Sequence, residues 1–127
     1  MAGKLVIDTI QDGAGNSASA TDAIKGSARA WVNFNGTTAA IRASYNVSSV
    51  TRNTIGDYTI NFTTAFIDAN YVGTIAASYT TNGTNITFPT QGTQAPTTTT
   101  YRVINIPGGA GTGGNTDPSY FWASFFR

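Results

Sequence analysis

Apolar and polar residues alternate most clearly over residues 57–63 of the chain. Three apolar side chains fall on one face of this segment, at Tyr58, Ile60 and Phe62. Because side chains of a strand point alternately to its two faces, the segment is predicted to be a strand with one packed and one solvated side. Residues 47–53 are predicted to form the preceding strand of a hairpin, and Gly56 is a glycine at the turn, where a tight hairpin needs a positive φ.

Short runs of β-branched and aromatic residues recur between clusters of Gly, Asn, Asp and Pro, whereas helical periodicity is hard to find. The further predicted strands are residues 4–10, 28–34, 39–45, 71–81, 85–88, 98–106 and 120–127. Turns are predicted at Asn35-Gly36 and Asn82-Gly83. A single open sheet would leave one apolar face uncovered, so about eight such strands predict an all-β fold, an antiparallel β-sandwich or a related barrel.

Three segments are predicted to be irregular. Residues 12–27 are small and polar and predict a linker, so that residues 1–27 form an N-terminal strand and linker and residues 28–127 the sandwich domain. Residues 89–100 and 107–118 are long for hairpin loops, and loops of that length often carry recognition. The receptor-binding candidates in these loops are Gln91, Thr93, Gln94, Asn115 and Thr116.

Aromatic side chains occupy both faces of the predicted C-terminal strand, residues 120–127. One face is expected to fill the core and the other to pack on a second subunit, the alternative being rings partly exposed at a surface. Trp31 also lies between polar neighbours, which is typical of a saccharide platform and of a subunit contact, and the subunit contact is the favoured interpretation. The subunit-interface candidates are Trp31, Phe121, Trp122, Phe125 and Phe126.

Charge is scarce in this chain, at 10% of residues with a net charge of +1. The seven basic residues are scattered, whereas a nucleic-acid-binding protein needs several cations that follow one backbone, so nucleic acid is not an expected partner. No apolar run approaches the roughly 20 residues of a membrane span, so membrane insertion is not expected.

Catalytic chemistry is also poorly provided for. The chain has no His and no Cys, and its acidic residues are all Asp. These absences remove the usual general base, the common nucleophile arrangements and most zinc sites, so we expect neither an enzyme nor a bound metal or cofactor. A pair of aspartates acting on a glycosidic bond stays open, although Asp57, Asp68 and Asp117 all occupy positions typical of turns. The glycine-rich run 108–114 lacks the Lys-Ser or Lys-Thr pair of a phosphate loop and predicts a flexible loop.

Four ordered segments of the chain resemble a domain found near the C-termini of many bacteriophage tail-fibre and related virion proteins. They are AWVNFNG (30–36), AIRASYNVSSV (40–50), GDYTINFTTA (56–65) and DANY (68–71). The shorter segment 6–10 is also similar to the sequence that leads into such domains.

The resemblance implies a β-rich homotrimer on a virion that is assembled in the host cytoplasm. Residues 4–27 would connect to other virion structural proteins, and the two long loops would face outward toward a host cell-surface glycan or protein. The expected function is therefore that of a structural virion protein of tail-fibre or fibre-tip type, involved in host-surface attachment. The alternatives are a capsid or tail decoration or collar protein without receptor binding, and a polysaccharide-hydrolysing spike tip. Family domains commonly end a long fibre, whereas here Met1 lies only 27 residues before the domain, so a stand-alone protein and an excised tip both stay open.

Overall fold

The computed structural model describes residues 3, 5–78, 86–91, 94–108 and 115–127. Its elements in chain order are β1 (Thr9–Gln11), β2 (Ser17–Ser19), α1 (Ala20–Gly26), β3 (Ala28–Phe34), β4 (Ile41–Tyr45), β5 (Val47–Thr54), β6 (Asp57–Phe62), β7 (Val72–Ser78), β8 (Ile86–Gln91), β9 (Thr100–Gly108) and β10 (Tyr120–Phe126). The turn predicted at Asn82-Gly83 lies outside the described residues.

Strands β3 to β10 form two four-stranded antiparallel sheets that pack over one core. Sheet I has the order β4-β3-β10-β7, and sheet II has the order β5-β6-β9-β8. The predicted all-β sandwich with about eight strands is therefore confirmed.

The β5–β6 hairpin was predicted correctly from its alternation and its glycine. Tyr58, Ile60 and Phe62 are buried, and the residues between them are partly exposed. Gly56 has a φ of 66°, in the left-handed region where a Cβ atom is disfavoured. The hairpin places Asp57, the first residue of β6, at one end of the sandwich.

Aromatic rings from both sheets fill the core. Phe34, Tyr58 and Phe121 have ring centroids 4.9–5.8 Å apart. A second group consists of Phe62, Phe66, Tyr71, Tyr101 and Phe125. Full burial of such a ring stabilises the fold by about 2–3 kcal/mol.

Two of the predicted interface residues belong to this core, which corrects the expectation for them. Strand β10 is a central strand, paired with β3 on one side and β7 on the other. Its inner face must therefore fill the sandwich interior, and Phe121 and Phe125 are fully buried there. They are not available to a second subunit.

The N-terminal segment is more regular than predicted. The linker predicted over residues 12–27 contains strand β2 and helix α1, and the strand predicted over residues 4–10 begins only at Thr9. The carboxylate of Asp12 accepts hydrogen bonds from the backbone N–H groups of Ala14 and Asn16, both at 2.9 Å, and so closes the turn between β1 and β2. The alanine-rich sequence after β2 favours a helix because alanine has the highest helix propensity.

Residues 89–91 were predicted to be part of a loop, but they continue strand β8. Pro89 pairs with Asn105 and Gln91 with Val103. The strand tolerates Pro89 because β8 is an edge strand, on which a missing N–H need not break the ladder.

The described parts of the two loops that were both predicted to face outward lie at opposite ends of the sandwich. At one end, here called the far end, the N–H of Gly36 donates to the carbonyl of Pro118 at 2.9 Å. At the other end, here called the N-terminal end, β3 begins, and the N–H of Phe66 donates to the carbonyl of Thr98 at 2.8 Å. Residues 115–119 therefore belong to the far end, and residues 94–99 lie beside the entry of the N-terminal segment.

Candidate functional site

The outer face of sheet I exposes the only two tryptophans of the chain. Trp31 is 40% exposed and Trp122 is 39% exposed. In the β3–β10 ladder, Trp31 lies opposite Ser124 and Trp122 lies opposite Asn33. The two indoles are thus diagonal neighbours on one face, a separation that long aromatic side chains can bridge.

Small side chains around the indoles leave a groove. Ala43 on β4, Thr74 and Ala76 on β7, and Ser124 on β10 line it together with the two tryptophans. Its volume is about 520 Å³, within the range of known small-molecule sites. We call this feature the tryptophan groove.

A stack of side chains supports one wall of the tryptophan groove. The rings of Tyr120 and Trp122 are nearly parallel, with centroids 5.6 Å apart. The guanidinium carbon of Arg42 lies 4.2 Å from the centroid of the Tyr120 ring, and Nη2 of Arg42 donates to the carbonyl of Ser119 at 2.8 Å. Stacking and cation–π attraction therefore restrict the orientation of Trp122.

The tryptophan groove also contains polar groups. Oδ1 of Asn33 is shielded from solvent and has no hydrogen-bond partner in the structure, an arrangement that costs about 1–3 kcal/mol. The hydroxyls of Thr74 and Ser124 lie 2.6 Å apart. The described residues that line the groove include no ionisable side chain. The groove is therefore suited to a neutral ligand that has both apolar surface and hydroxyl groups.

At the far end, Asp117 joins the segment before β10 to three residues of the β5–β6 hairpin. Its carboxylate accepts hydrogen bonds from Nη2 of Arg52 at 2.5 Å, from the N–H of Gly56 at 2.8 Å and from the hydroxyl of Tyr58 at 2.5 Å. Burial raises the pKa of Asp117, but the hydrogen bonds from Arg52, Tyr58 and Gly56 together lower it more, so its pKa lies below the ordinary value.

Thr116 is fixed by a second set of contacts. Its N–H donates to the carbonyl of Asn105 at 3.2 Å, and its own carbonyl accepts from Nδ2 of Asn105 at 2.9 Å. Asn105 is fully buried, and its N–H donates to the carbonyl of Gly56 at 2.7 Å. Residues 115–118 are thus attached firmly to the β5–β6 turn.

The structure separates the five predicted receptor-binding residues. Gln91 is part of strand β8 and Gln94 is exposed at the N-terminal end, whereas Asn115 and Thr116 are half-buried at the far end. Thr93 and the glycine-rich residues 109–114 lie outside the described residues. The five residues therefore form no single site.

Two further aspartates, besides Asp117, form ion pairs with arginine. Arg102 donates to Asp57 through Nε at 2.9 Å and through Nη2, and Arg127 donates to Asp68 through Nε at 3.0 Å. Hydrogen bonds from these arginines lower the pKa of Asp57 and of Asp68. Within the part of the chain that the structure describes, no cluster of three or more His, Cys, Asp or Glu side chains offers a metal site. No described helix has the length and apolarity needed to cross a membrane.

Sequence reasoning identified Trp31 and Trp122 but not their proximity, and it missed the contribution of Arg42 and Tyr120. A signal for Tyr120 was present, because residues two apart on a strand share a face and Tyr120 and Trp122 have that spacing. No local signal links Arg42 to them, since that contact depends on the order of strands in sheet I.

Fold and site together define an all-β sandwich protein with an aromatic groove on one sheet face, and the described residues that line this groove are uncharged. The chain matches no protein-family model, and no curated protein or solved structure is significantly similar to it. The resemblance of residues 30–71 to phage tail-fibre tips therefore stays a prediction.

Proposed function

We propose that this protein is a non-catalytic structural component of a bacteriophage virion, a homotrimer of fibre-tip type that takes part in host-surface attachment. In this proposal the N-terminal end of the sandwich faces the particle and the far end points outward. The trimer and the virion location rest on the resemblance of residues 30–71. The observation that supports the orientation is the concentration of exposed aliphatic side chains at the N-terminal end.

The N-terminal segment exposes five large aliphatic side chains, at Leu5, Val6, Ile7, Ile10 and Ile24. Leu5 is 81% exposed and Val6 is 76% exposed. Strands β1 and β2 and helix α1 contact mainly one another, and an isolated two-stranded hairpin is at best marginally stable in water. Association with equivalent segments would bury this apolar surface and stabilise the segment.

A further aliphatic side chain is exposed at the same end of the sandwich. Ile67 is 88% exposed and lines a cavity of about 240 Å³ with Arg29, Phe66 and Arg127. Clustered exposed apolar residues mark interaction sites more often than scattered ones do. Together with the five aliphatic side chains of the N-terminal segment, Ile67 favours the N-terminal end as the site of assembly over the far end, where only Ile55 and Ile106 are exposed among the large aliphatic side chains of the described residues.

The paired carboxylates favour a structural role over glycan hydrolysis. A two-carboxylate glycosidase needs one acid and one base or nucleophile that are free to reach the substrate. Asp57, Asp68 and Asp117 each accept hydrogen bonds from an arginine. The polysaccharide-hydrolysing alternative therefore has less support than a non-catalytic role.

Light scattering on the 127-residue protein tests the assembly part of the proposal. We expect a mass three times the 13.3 kDa of the chain at micromolar concentration. A variant with Leu5→Asp and Ile24→Asp should dissociate, because each change places a charge in the contact. The control Ile55→Asp alters an aliphatic side chain that is exposed at the β5–β6 turn and should leave the mass unchanged. A monomeric wild-type protein would contradict the proposal.

The virion part is tested by immuno-electron microscopy of phage particles with an antibody raised against the purified protein. Label at the tips of tail fibres is the expected result. Label on the capsid or collar would instead identify a decoration protein. Absence of the chain from purified particles by mass spectrometry would contradict the virion proposal.

A further inference from the structure

We propose that the tryptophan groove binds a neutral saccharide, with pyranose rings stacked on the indoles of Trp31 and Trp122. This inference deepens the attachment role in the proposed function and rests on it for its biological meaning. The binding itself is a property of sheet I and can be measured on the purified protein whether or not the protein belongs to a virion.

The apolar part of the recognition comes from the two half-exposed indoles. A pyranose ring has a face of C–H groups that packs on the flat face of an aromatic ring, and an indole provides the largest such face among side chains. Trp31 and Trp122 project from neighbouring strands, and small side chains surround them. Rings of a short saccharide therefore have space beside each indole.

The polar part of the recognition comes from groups between and beside the indoles. Oδ1 of Asn33 has no hydrogen-bond partner, and Asn33 lies opposite Trp122 and two residues from Trp31. A modest rotation of this amide would direct its acceptor into the groove, where a sugar hydroxyl can donate to it. The hydroxyls of Thr74 and Ser124 add a donor and acceptors at the same level of the face.

The absence of charge decides between classes of saccharide. The described residues that line the groove carry no ionisable side chain, so an acidic sugar would lose hydration there without gaining an ionic partner. The two arginines on this sheet face do not line the groove. Arg42 lies over Tyr120 and donates to the carbonyl of Ser119, and Arg29 lines the cavity beside Ile67. A neutral hexose or N-acetylhexosamine fits these conditions.

The same chemistry argues against a second copy of the chain as the occupant. A protein contact over this face would cover Asn33, Thr74 and Ser124 and would need a matched polar partner at each. The hydroxyls around the rim of a pyranose ring can pair with these groups while its C–H face stacks on an indole. Self-association already has a more suitable surface in the aliphatic side chains of the N-terminal segment.

The wall formed by Trp122 is held in place before a ligand arrives. Its ring is stacked on Tyr120, whose ring lies under the guanidinium of Arg42. A site ordered in advance loses less conformational entropy on binding, which is important for a ligand that makes few contacts.

Tryptophan fluorescence gives a direct measurement, because Trp31 and Trp122 are the only tryptophans in the protein. The emission of the wild-type protein should be quenched by acrylamide and should shift on titration with neutral trisaccharides of glucose, galactose or N-acetylglucosamine. Saturation-transfer NMR with the same sugars provides a second readout. We expect at least one of them to bind with a Kd on the order of 1 mM.

Three variants locate the binding on the face. Trp31→Ala and Trp122→Ala should each weaken saccharide binding about tenfold or more, and Asn33→Ala about fivefold, as loss of a neutral hydrogen bond predicts. The control Val72→Ala removes an exposed side chain on the same sheet outside the groove and should bind as the wild type does. Far-UV circular dichroism checks that each variant is folded. If Trp122→Ala or Asn33→Ala does not fold, the comparison of Trp31→Ala with Val72→Ala still tests the inference.

Two results would overturn the inference. The first is no response to any of the neutral sugars by either method in protein whose tryptophans are accessible to acrylamide. The second is tryptophan emission that acrylamide does not quench in the intact oligomer, which would mean that another subunit covers the face. Light scattering on the same samples tests the trimer separately, so the two proposals can fail independently.

Discussion

Substitution of Asp117 tests how the far end of the sandwich is held together. The carboxylate accepts hydrogen bonds from the side chain of Arg52, from the backbone of Gly56 and from the hydroxyl of Tyr58. Its side chain is only 15% exposed, so water does not freely replace these contacts. We therefore expect Asp117→Ala to destabilise the whole domain and not only the residues next to it.

The size of the effect follows from the partners of the carboxylate. Gly56 and Tyr58 are buried, and a hydrogen bond to a charged acceptor contributes about 1.5–3 kcal/mol. Water entering the space left by Asp117 recovers part of this loss. The expected decrease in the free energy of unfolding is about 3 kcal/mol, equivalent to roughly 10 °C in Tm for a domain of this size. Asp117→Asn keeps one acceptor oxygen and should lie between Asp117→Ala and the wild type.

Urea unfolding at pH 7, followed by circular dichroism, measures these differences. Asp68→Ala is the matched control, because Asp68 also accepts from an arginine but is much more exposed, and it should cause a clearly smaller change. The hydrogen bonds hold the folded pKa of Asp117 below its unfolded value, so its stabilisation is present above that value and is lost as the pH falls. Asp117→Ala should therefore also reduce the loss of stability between pH 5 and pH 2. Equal stabilities for Asp117→Ala and Asp68→Ala would refute the reasoning.

Three other predictions concern the turn, the core and the ion pairs. Gly56→Ala should lower the free energy of unfolding by about 1–3 kcal/mol in urea, because the φ of Gly56 is positive and the added Cβ would lie 2.7 Å from backbone atoms of Thr116. The control Gly13→Ala places its Cβ in open space and should change the free energy of unfolding by less than about 0.5 kcal/mol. Burial raises the pKa of Tyr71 to about 12 and also raises that of Tyr101. Ultraviolet titration at 295 nm should therefore show part of the phenol absorbance appearing only well above pH 10, and a titration that is complete near pH 10 would contradict this. The pKa values of the three arginine-paired aspartates are lowered in the folded state. The Tm should therefore be constant above about pH 5 and fall below about pH 4. A Tm that is independent of pH from 7 to 3 would contradict the contribution of these ion pairs to stability.

The sandwich was predictable because its strands are half-buried. Where one face of a strand packs and the other meets water, apolar and polar residues alternate in the sequence, as they do in residues 57–63. The predicted limits 28–34 coincide with strand β3. Both central strands of sheet I, β3 and β10, bury every second residue. Their outer faces carry the aromatic side chains that made the pattern ambiguous.

The N-terminal segment was harder to predict because it buries little. Residues 12–27 are mainly small and polar, and the hydrogen bonds that order them, such as those accepted by Asp12, have no hydrophobic period. Pro89 was the reason that residues 89–91 were wrongly predicted to be part of a loop. A proline in a run of residues usually argues against a strand, and only the position of β8 at a sheet edge removes that objection.

The candidate site depends on contacts that are far apart in the sequence. Trp31 and Trp122 become neighbours only because β10 pairs with β3. Arg42 contacts Tyr120 from β4, the edge strand on the other side of β3. Strand order is set by the packing of the whole core, so no local pattern could identify the groove. Local composition did identify Trp31 as an aromatic between polar residues, which is the part of the site that a single strand contains.

The separation of the two surfaces has a consequence for affinity. A groove that holds a short neutral saccharide by stacking and a few hydrogen bonds is expected to bind with a Kd on the order of 1 mM, which is too weak for lasting attachment by one site. Assembly through the N-terminal end would leave the outer face of sheet I uncovered in every subunit, because the exposed aliphatic residues and the tryptophan groove belong to different parts of the molecule. Simultaneous binding of several grooves to one glycan-coated surface can strengthen attachment by about 10²–10⁴ without any new contact. Weak neutral recognition is therefore compatible with firm attachment only in the oligomer, and the dissociating variant Leu5→Asp with Ile24→Asp should retain binding to free trisaccharide while losing binding to cells.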